Sequence, residues 1–325
     1  MRLWQRRRFV IAAGALLVAS RSPLAQPRTA RIGVLSPRGQ SVILRPVLAR
    51  LAELGYVEGR NLRLEYRSAD GVVDRFPALA RELIAARCDV IFAAGTAHAA
   101  RALRDATTSV PIVIVAIDYD PVKAGIVTNM RRPGRNITGV ALSTPEVVAK
   151  RVEILREALP QATRFLVFTD EYSVEQFEAM RHTAERLRVP LVTYRFQVRP
   201  YTFDAAFEQG DKAGAAALLL PTSPDFFDRR AEIYEMALRR KLPVAVGGSA
   251  WWTGTGWFVG YGVIADKTYG RAGDIAASIL SGKNPGEIPV EQPSDFEFAV
   301  NLKTARAISI PIPQSVMVRA SRVVE

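Results

Sequence analysis

Six short aliphatic runs in this 325-residue sequence are each followed by residues able to make polar contacts. Ser36 follows the run 30–35, Gly95 and Thr96 follow 89–93, and Asp118 ends the run 111–117. In the second half, Thr169, Asp170 and Glu171 follow a run ending at Phe168. Pro221, Thr222 and Ser223 follow one ending at Leu220, and Gly247, Gly248 and Ser249 follow 244–246. Residues of this kind suit non-covalent capture of a small charged molecule. A helix start offers unpaired backbone N–H groups and the positive end of a dipole, which favours a carboxylate. Ser36, Gly95 and Thr96 are therefore candidate carboxylate contacts. Thr96 reads equally well as a plain helix cap worth ~1 kcal/mol, and one hydroxyl can serve both purposes. Asp118 is a candidate partner for a ligand ammonium through a charge-assisted bond, whereas Asp120, just before Pro121, reads better as a turn or helix-start residue. Thr169, Asp170, Thr222, Ser223, Gly248 and Ser249 are the candidates from the second half. Tyr119, Trp251, Trp252 and Trp257 offer rings that stack on a flat ligand or a cation; core filling is the alternative, and the favoured one, for each ring.

Catalytic constellations are missing from the sequence. Its two histidines, His98 and His182, have no metal-ligand spacing and read as surface or packing residues. The segment 247–251 lacks the last glycine of a nucleophile elbow, and Gly254 to Gly260 misses the dinucleotide-binding spacing by one residue. Asp170 and Glu171 are adjacent and so point apart, which is a poor start for an acid–base pair. No phosphate-cradling lysine motif, zinc pattern or calcium loop is present. An exported hydrolase acting through Ser249 or Asp170 is the remaining enzymatic alternative.

The elements that must position these residues alternate. Strands are predicted at 30–35, 61–67, 89–93 and 111–116, with helices at 44–54, 75–86 and 96–106 between them. After the turn cluster 133–136, the run 137–142 is a candidate crossing strand. The alternation then restarts with helices at 145–159, 174–187, 203–212 and 226–240 and strands at 164–168, 191–196, 216–220 and 244–246. A second crossing strand is expected at 257–261, where Gly262 would relieve backbone strain, then a helix at 265–280, a third crossing at 296–301 and short helices in the tail. Short apolar runs alternating with helical patterns indicate parallel βαβ units. The expected fold class is α/β, two doubly wound parallel-sheet lobes joined by a hinge. The first lobe is assigned 30–142 plus about 262–295, and the second 143–261 plus about 296–325. In open sheets of this kind, ligands sit beyond the carboxyl ends of the strands, which is where the polar residues fall.

Length and composition agree with this. A chain of 325 residues exceeds what one core usually organises, and 49% hydrophobic with 23% charged residues is globular composition. The segment 6–25 has an arginine cluster, a short apolar run and a small-residue exit, which make a signal peptide over 1–25. Arg6-Arg7-Arg8-Phe9-Val10 resembles a twin-arginine signal; an arginine-rich Sec signal is the alternative. Removing 1–25 discards five arginines and no acid, lowering the formal net charge from +12 to +7. No block of like charge or arginine-rich helix face supports a nucleic-acid partner. Cys88 is the sole cysteine, so an internal disulfide is impossible, and none stands near the signal to carry a lipid. The expected product is periplasmic, soluble, monomeric and not a lipoprotein.

Six phrases occur in order along the chain: Glu53-Leu54-Gly55-Tyr56-Val57-Glu58-Gly59-Arg60-Asn61-Leu62, Ala94-Gly95-Thr96, Asp120-Pro121-Val122-Lys123-Ala124-Gly125-Ile126-Val127, Arg132-Pro133-Gly134-Arg135-Asn136-Ile137-Thr138-Gly139, Ile288-Pro289-Val290-Glu291-Gln292-Pro293 and Asn301-Leu302-Lys303-Thr304-Ala305. From Ile32 to the last residue the chain resembles the ABC transporter substrate-binding family, which includes tryptophan- and other aromatic-amino-acid-binding members. The resemblance implies a type I periplasmic-binding fold, no cofactor, a small amino-acid-like ligand between the lobes, and ABC permease subunits as partners. A sensing role with a kinase or similar partner is the alternative. Many relatives have an Asn-Pro-Ala-Asn type loop where this chain has Thr169-Asp170-Glu171, and a small residue is common at Asp118, so these two places set this chain apart.

Overall fold

A computed structural model describes residues 29–39, 43–117, 119–142 and 145–325. The signal segment 1–25 and Asp118 lie outside the described residues.

The first sheet is built from β1 (Ala30–Ser36), β2 (Leu62–Ser68), β3 (Val90–Gly95), β4 (Ile112–Ala116) and β5 (Ile137–Ala141), with α1 (Leu44–Glu53), α2 (Phe76–Ala85) and α3 (Ala97–Ala106) between them. Its order is β2-β1-β3-β4-β5, and every pairing is parallel. A parallel sheet buries both faces, so its strands read as continuous apolar runs. β3 illustrates this. Val90, Phe92 and Ala94 pack toward α1, while Ile91 and Ala93 pack toward α2 and α3.

The second sheet contains β6 (Phe165–Thr169), β7 (Leu191–Arg195), β8 (Ala217–Leu219), β9 (Val244–Val246), β10 (Val259–Val263), β11 (Phe296–Asn301) and β12 (Arg322–Val324). Its order is β12-β11-β10-β9-β8-β6-β7, parallel except for the antiparallel pair β10–β11. One face is covered by α4 (Pro145–Ala158), α5 (Val174–Arg186), α10 (Leu302–Ile308) and α11 (Gln314–Met317), and the other by α6 (Asp204–Ala213), α7 (Pro224–Asp228) and α8 (Arg230–Arg239). The expected α/β class with two parallel-sheet lobes is what the structure has.

The remaining helix, α9 (Ala265–Leu280), follows β10 of the second sheet but packs beside α1 on the first sheet. The chain stays there until Glu291, whose backbone bonds Gly139 and Ala141 at the free edge of β5, and then enters β11. The three segments expected to cross are therefore in-sheet strands. β5 closes the edge of the first sheet, while β10 and β11 pair within the second. The crossings are the short links after Leu142, after Val263 and after Glu291. Strand pairing here is non-local, and apolar content alone does not reveal it. The expected helix 226–240 is also two helices. Ser223 accepts the Asp225 backbone N–H at 3.2 Å and starts α7 at Pro224, and Arg229 breaks the helical path before α8. The tail carries β12 as well as short helices.

Gly139 sits within β5 with φ +147°, and a Cβ there would lie 2.0 Å from the Ile114 carbonyl oxygen of β4. Neither the backbone conformation nor the spacing admits a side chain. Gly139→Ala should cost on the order of 3 kcal/mol, read as a lowered urea midpoint at unchanged slope.

Candidate ligand cavity between the lobes

In each sheet the strand order reverses once, between β1 and β3 in the first and between β6 and β8 in the second. Helices leave in opposite directions at such a point and open a crevice beyond the strand ends. The two crevices face each other and enclose a cavity of about 190 Å³.

The first lobe contributes Ser36, the last residue of β1, and Pro37, Arg38 and Gly39 after it. It also contributes Ala94, Gly95 and Thr96 at the end of β3. Thr96 is buried and caps α3, accepting the Ala99 N–H at a long 3.5 Å. Ser36 donates to the Arg38 carbonyl at 2.8 Å and so shapes the turn that carries Arg38. Tyr269 and Ala265 of α9 complete this wall.

The second lobe contributes Thr222, Ser223, Phe227, Asp228, Gly248, Ala250, Trp251 and Arg151. Thr222 is held by both of its backbone groups. Its N–H donates to Gln176 Oε1 at 3.1 Å, and its carbonyl accepts from Gln176 Nε2 at 2.8 Å. Arg151 of α4 is buried, donating through Nε to the Tyr261 carbonyl at 3.1 Å and through Nη1 to Gln176 Oε1 at 3.4 Å. Phe227 meets Trp251 edge-on at 5.1 Å, with the Arg230 guanidinium 4.1 Å above the Phe227 ring. Asp228 is the single carboxylate among the described residues of the wall. Burial, aided by nearby Asp225, pushes its acid up from the ordinary value, while Arg38 opposes the shift. Gly248 and Gly262 let two backbone segments touch, since a Cβ on Gly262 would lie 2.6 Å from Gly248 N. That contact, rather than the relief of backbone strain expected from the sequence, explains the glycine.

Of the residues singled out from the sequence, Ser36, Gly95, Thr96, Thr222, Ser223 and Gly248 are brought together on the cavity wall. Thr169, Asp170 and Ser249 are not. Asp170 is buried behind the wall, where it accepts from the Ser223 hydroxyl and, at 3.1 Å, from the Tyr172 N–H; burial pushes its acid up. Thr169 faces Ser173 at 3.4 Å. Ser249 Oγ accepts the Ala265 N–H at 2.9 Å and so ties the second lobe to the start of α9. Trp257 is core, and Trp252 stacks on it at 5.9 Å, leaving Trp251 as the tryptophan on the wall. Arg38, Arg151, Phe227, Asp228 and Tyr269 were not singled out. A signal existed for Arg151, an arginine on the apolar stripe Val147, Val148, Val152 and Leu155 of α4, because a cation on a buried face needs a polar reason to be there.

The lobes also meet at the rim. Arg38 of the first lobe pairs with Asp225 of the second. The Tyr172 hydroxyl donates to the Gly71 carbonyl at 3.5 Å, and the Asp120 N–H donates to Glu175 Oε2 at 3.1 Å. His98 lies between Phe76, stacked at 6.3 Å, and Tyr172, edge-on at 5.8 Å.

Comparison with known proteins gives a consistent picture. The family model described as ABC transporter substrate binding protein matches residues 34–324. A tyrosine-binding protein of Clostridioides difficile (strain R20291) is 24% identical over 263 residues, 80% of this chain and 74% of the relative. Among solved structures, a conserved domain protein from Vibrio cholerae shares 24% identity at a TM-score of 0.82. A Streptococcus pneumoniae ABC domain in complex with L-Trp shares 22% at 0.79. Both alignments cover 91% of this chain and all of the other.

Burial, reinforced by the Arg101 charge, holds the His98 imidazole below its ordinary 6.5, with Glu171 opposing. The folded protein therefore keeps the neutral ring where the unfolded chain binds a proton, and stability falls as pH drops below about 6.5 until the folded-state value is passed. His98→Gln should flatten that decline. Urea unfolding at pH 7.5 and pH 5.5 should show a larger acid loss for the wild type than for the variant.

Proposed function

The chain belongs to the ABC transporter substrate-binding protein family, and from that membership we propose that it captures an aromatic amino acid between its lobes and presents the closed form to permease subunits of an importer. The observation that carries the reading is the wall of the cavity. One side supplies the Thr96 hydroxyl and the start of α3, which suit a carboxylate. The other supplies aromatic rings with one acidic group, Phe227, Trp251 and Asp228. The zwitterionic end of an amino acid requires both signs, and its ring requires an apolar slot. The tyrosine-binding relative and the neighbour holding L-Trp support the same ligand class.

Binding without chemical transformation accords with the site, whose polar groups are engaged in holding the wall. We further propose export under the leader 1–25, giving a soluble periplasmic monomer without lipid. The lobes then divide as 30–142 with about 262–295, and 143–261 with about 296–325, moving about the three crossings.

A thermal-shift panel of L-amino acids, aromatic acids and nucleobases tests this. A true ligand at 100 times its dissociation constant adds about 2.7 kcal/mol of stability. L-Trp, L-Tyr or L-Phe should shift the transition, and silence of every amino acid would overturn the reading. Asp228→Asn should weaken the aromatic amino acid by roughly 10- to 100-fold, the range for a hydrogen bond to a charged group. Its deaminated analogue should bind the variant as it binds the wild type.

A further inference from the structure

Asp225 stands two residues beyond the cap of α7 and is not part of the cavity wall. Its side chain is 4% exposed, yet it is a carboxylate with two arginines. Arg199, from its own lobe, donates through Nε to Oδ2 at 3.0 Å. Arg38, from the opposite lobe, donates through Nη2 to Oδ1. Arg199 is itself fixed by Glu171 at 2.6 Å and by the faces of Tyr172 and Tyr201, 5.3 and 5.2 Å from its guanidinium carbon. Arg38 lies on the cavity wall, 31% exposed, with its Nε 3.9 Å from Asp228.

We propose that Asp225 is a latch across the cleft: by binding the Arg38 guanidinium it holds the lobes together and sets the affinity of the cavity without touching the ligand. A buried carboxylate is costly when left without a cation. Arg199 removes that cost in the open state, because it travels with Asp225. Closure then adds Arg38 as a second cation in a site that water and salt screen poorly. The pairing therefore favours the closed arrangement for any ligand. A protein whose competent form is a larger fraction of the population binds every ligand more tightly by the same factor. Asp225 is thus a positioning residue for binding, acting through Arg38. The proposal rests on the reading of the protein as a two-lobed ligand clamp.

Asp225→Asn, Arg38→Gln and the double variant, with Arg38→Lys as the conservative control, test it. Ligand-free small-angle scattering should show Arg38→Gln and Asp225→Asn more expanded than the wild type, with Arg38→Lys between. Dissociation constants for two unrelated ligands from the panel should rise by the same factor, on the order of tenfold, chiefly through faster release. The double variant should be no worse than either single one. Wild-type scattering and affinity in folded Arg38→Gln, or additive losses in the double variant, would overturn the latch. Arg38→Gln leaves Asp225 paired with Arg199, so it should fold even where Asp225→Asn does not. If no ligand binds the wild type, the clamp reading fails, and the ligand-free scattering of Arg38→Gln still decides whether the contact holds the lobes.

Discussion

A parallel sheet has two apolar faces, and both must be covered. Among the described residues, the first sheet receives α2 and α3 on one face and α1 on the other from its own stretch of chain. The gap beside α1 is filled by α9, which arrives from the second sheet. Tyr269, Ala272, Ile275, Ala276 and Ile279 of α9 enter the same apolar cluster as Ile32, Val34, Val90 and Phe92. Neither lobe is a continuous segment as a result. The chain must leave, return and leave again, and those short links are the covalent connections between the halves.

The same constraint fixes where polar residues gather. Strand ends in parallel sheets all point one way, so their loops collect at one edge of each sheet. With the edges opposed, Ser36 and Thr96 come to face Thr222, Ser223 and Gly248 although they are far apart in sequence. The glycine contact between Gly248 and Gly262 and the bond from Ala265 to Ser249 lie beside the second link. One side of the cavity is thus built against that link, and Arg38, His98 and Tyr172 make contacts between the lobes at the rim.

Most of the framework was legible because it is local. The apolar runs, the helix spacing and the turn residues place nearly all strands and helices within two residues, and the position of polar residues behind strands marks much of the wall. What was hidden is non-local. The antiparallel pairing of β10 and β11, the addition of β12 and the role of β5 as an edge depend on partners distant in sequence. Asp170 looked like a wall residue because it follows a strand, but Ser223 and Tyr172 draw its carboxylate inward. Arg38 was not singled out, because its partner Asp225 lies 187 residues away in sequence.

The polar groups of the wall are bonded chiefly to the wall itself. Gln176 grips both backbone groups of Thr222 and also accepts from Arg151, and Arg151 in turn donates to Tyr261. Ser36 is spent on its own turn, and Ser223 on Asp170 and the start of α7. These hydroxyls hold the backbone that carries them. Bonds of this sort fix the shape of the wall before a ligand arrives, which lowers the ordering cost of binding. At the seam between the lobes one buried carboxylate, Asp225, is shared by Arg199 of its own lobe and Arg38 of the other.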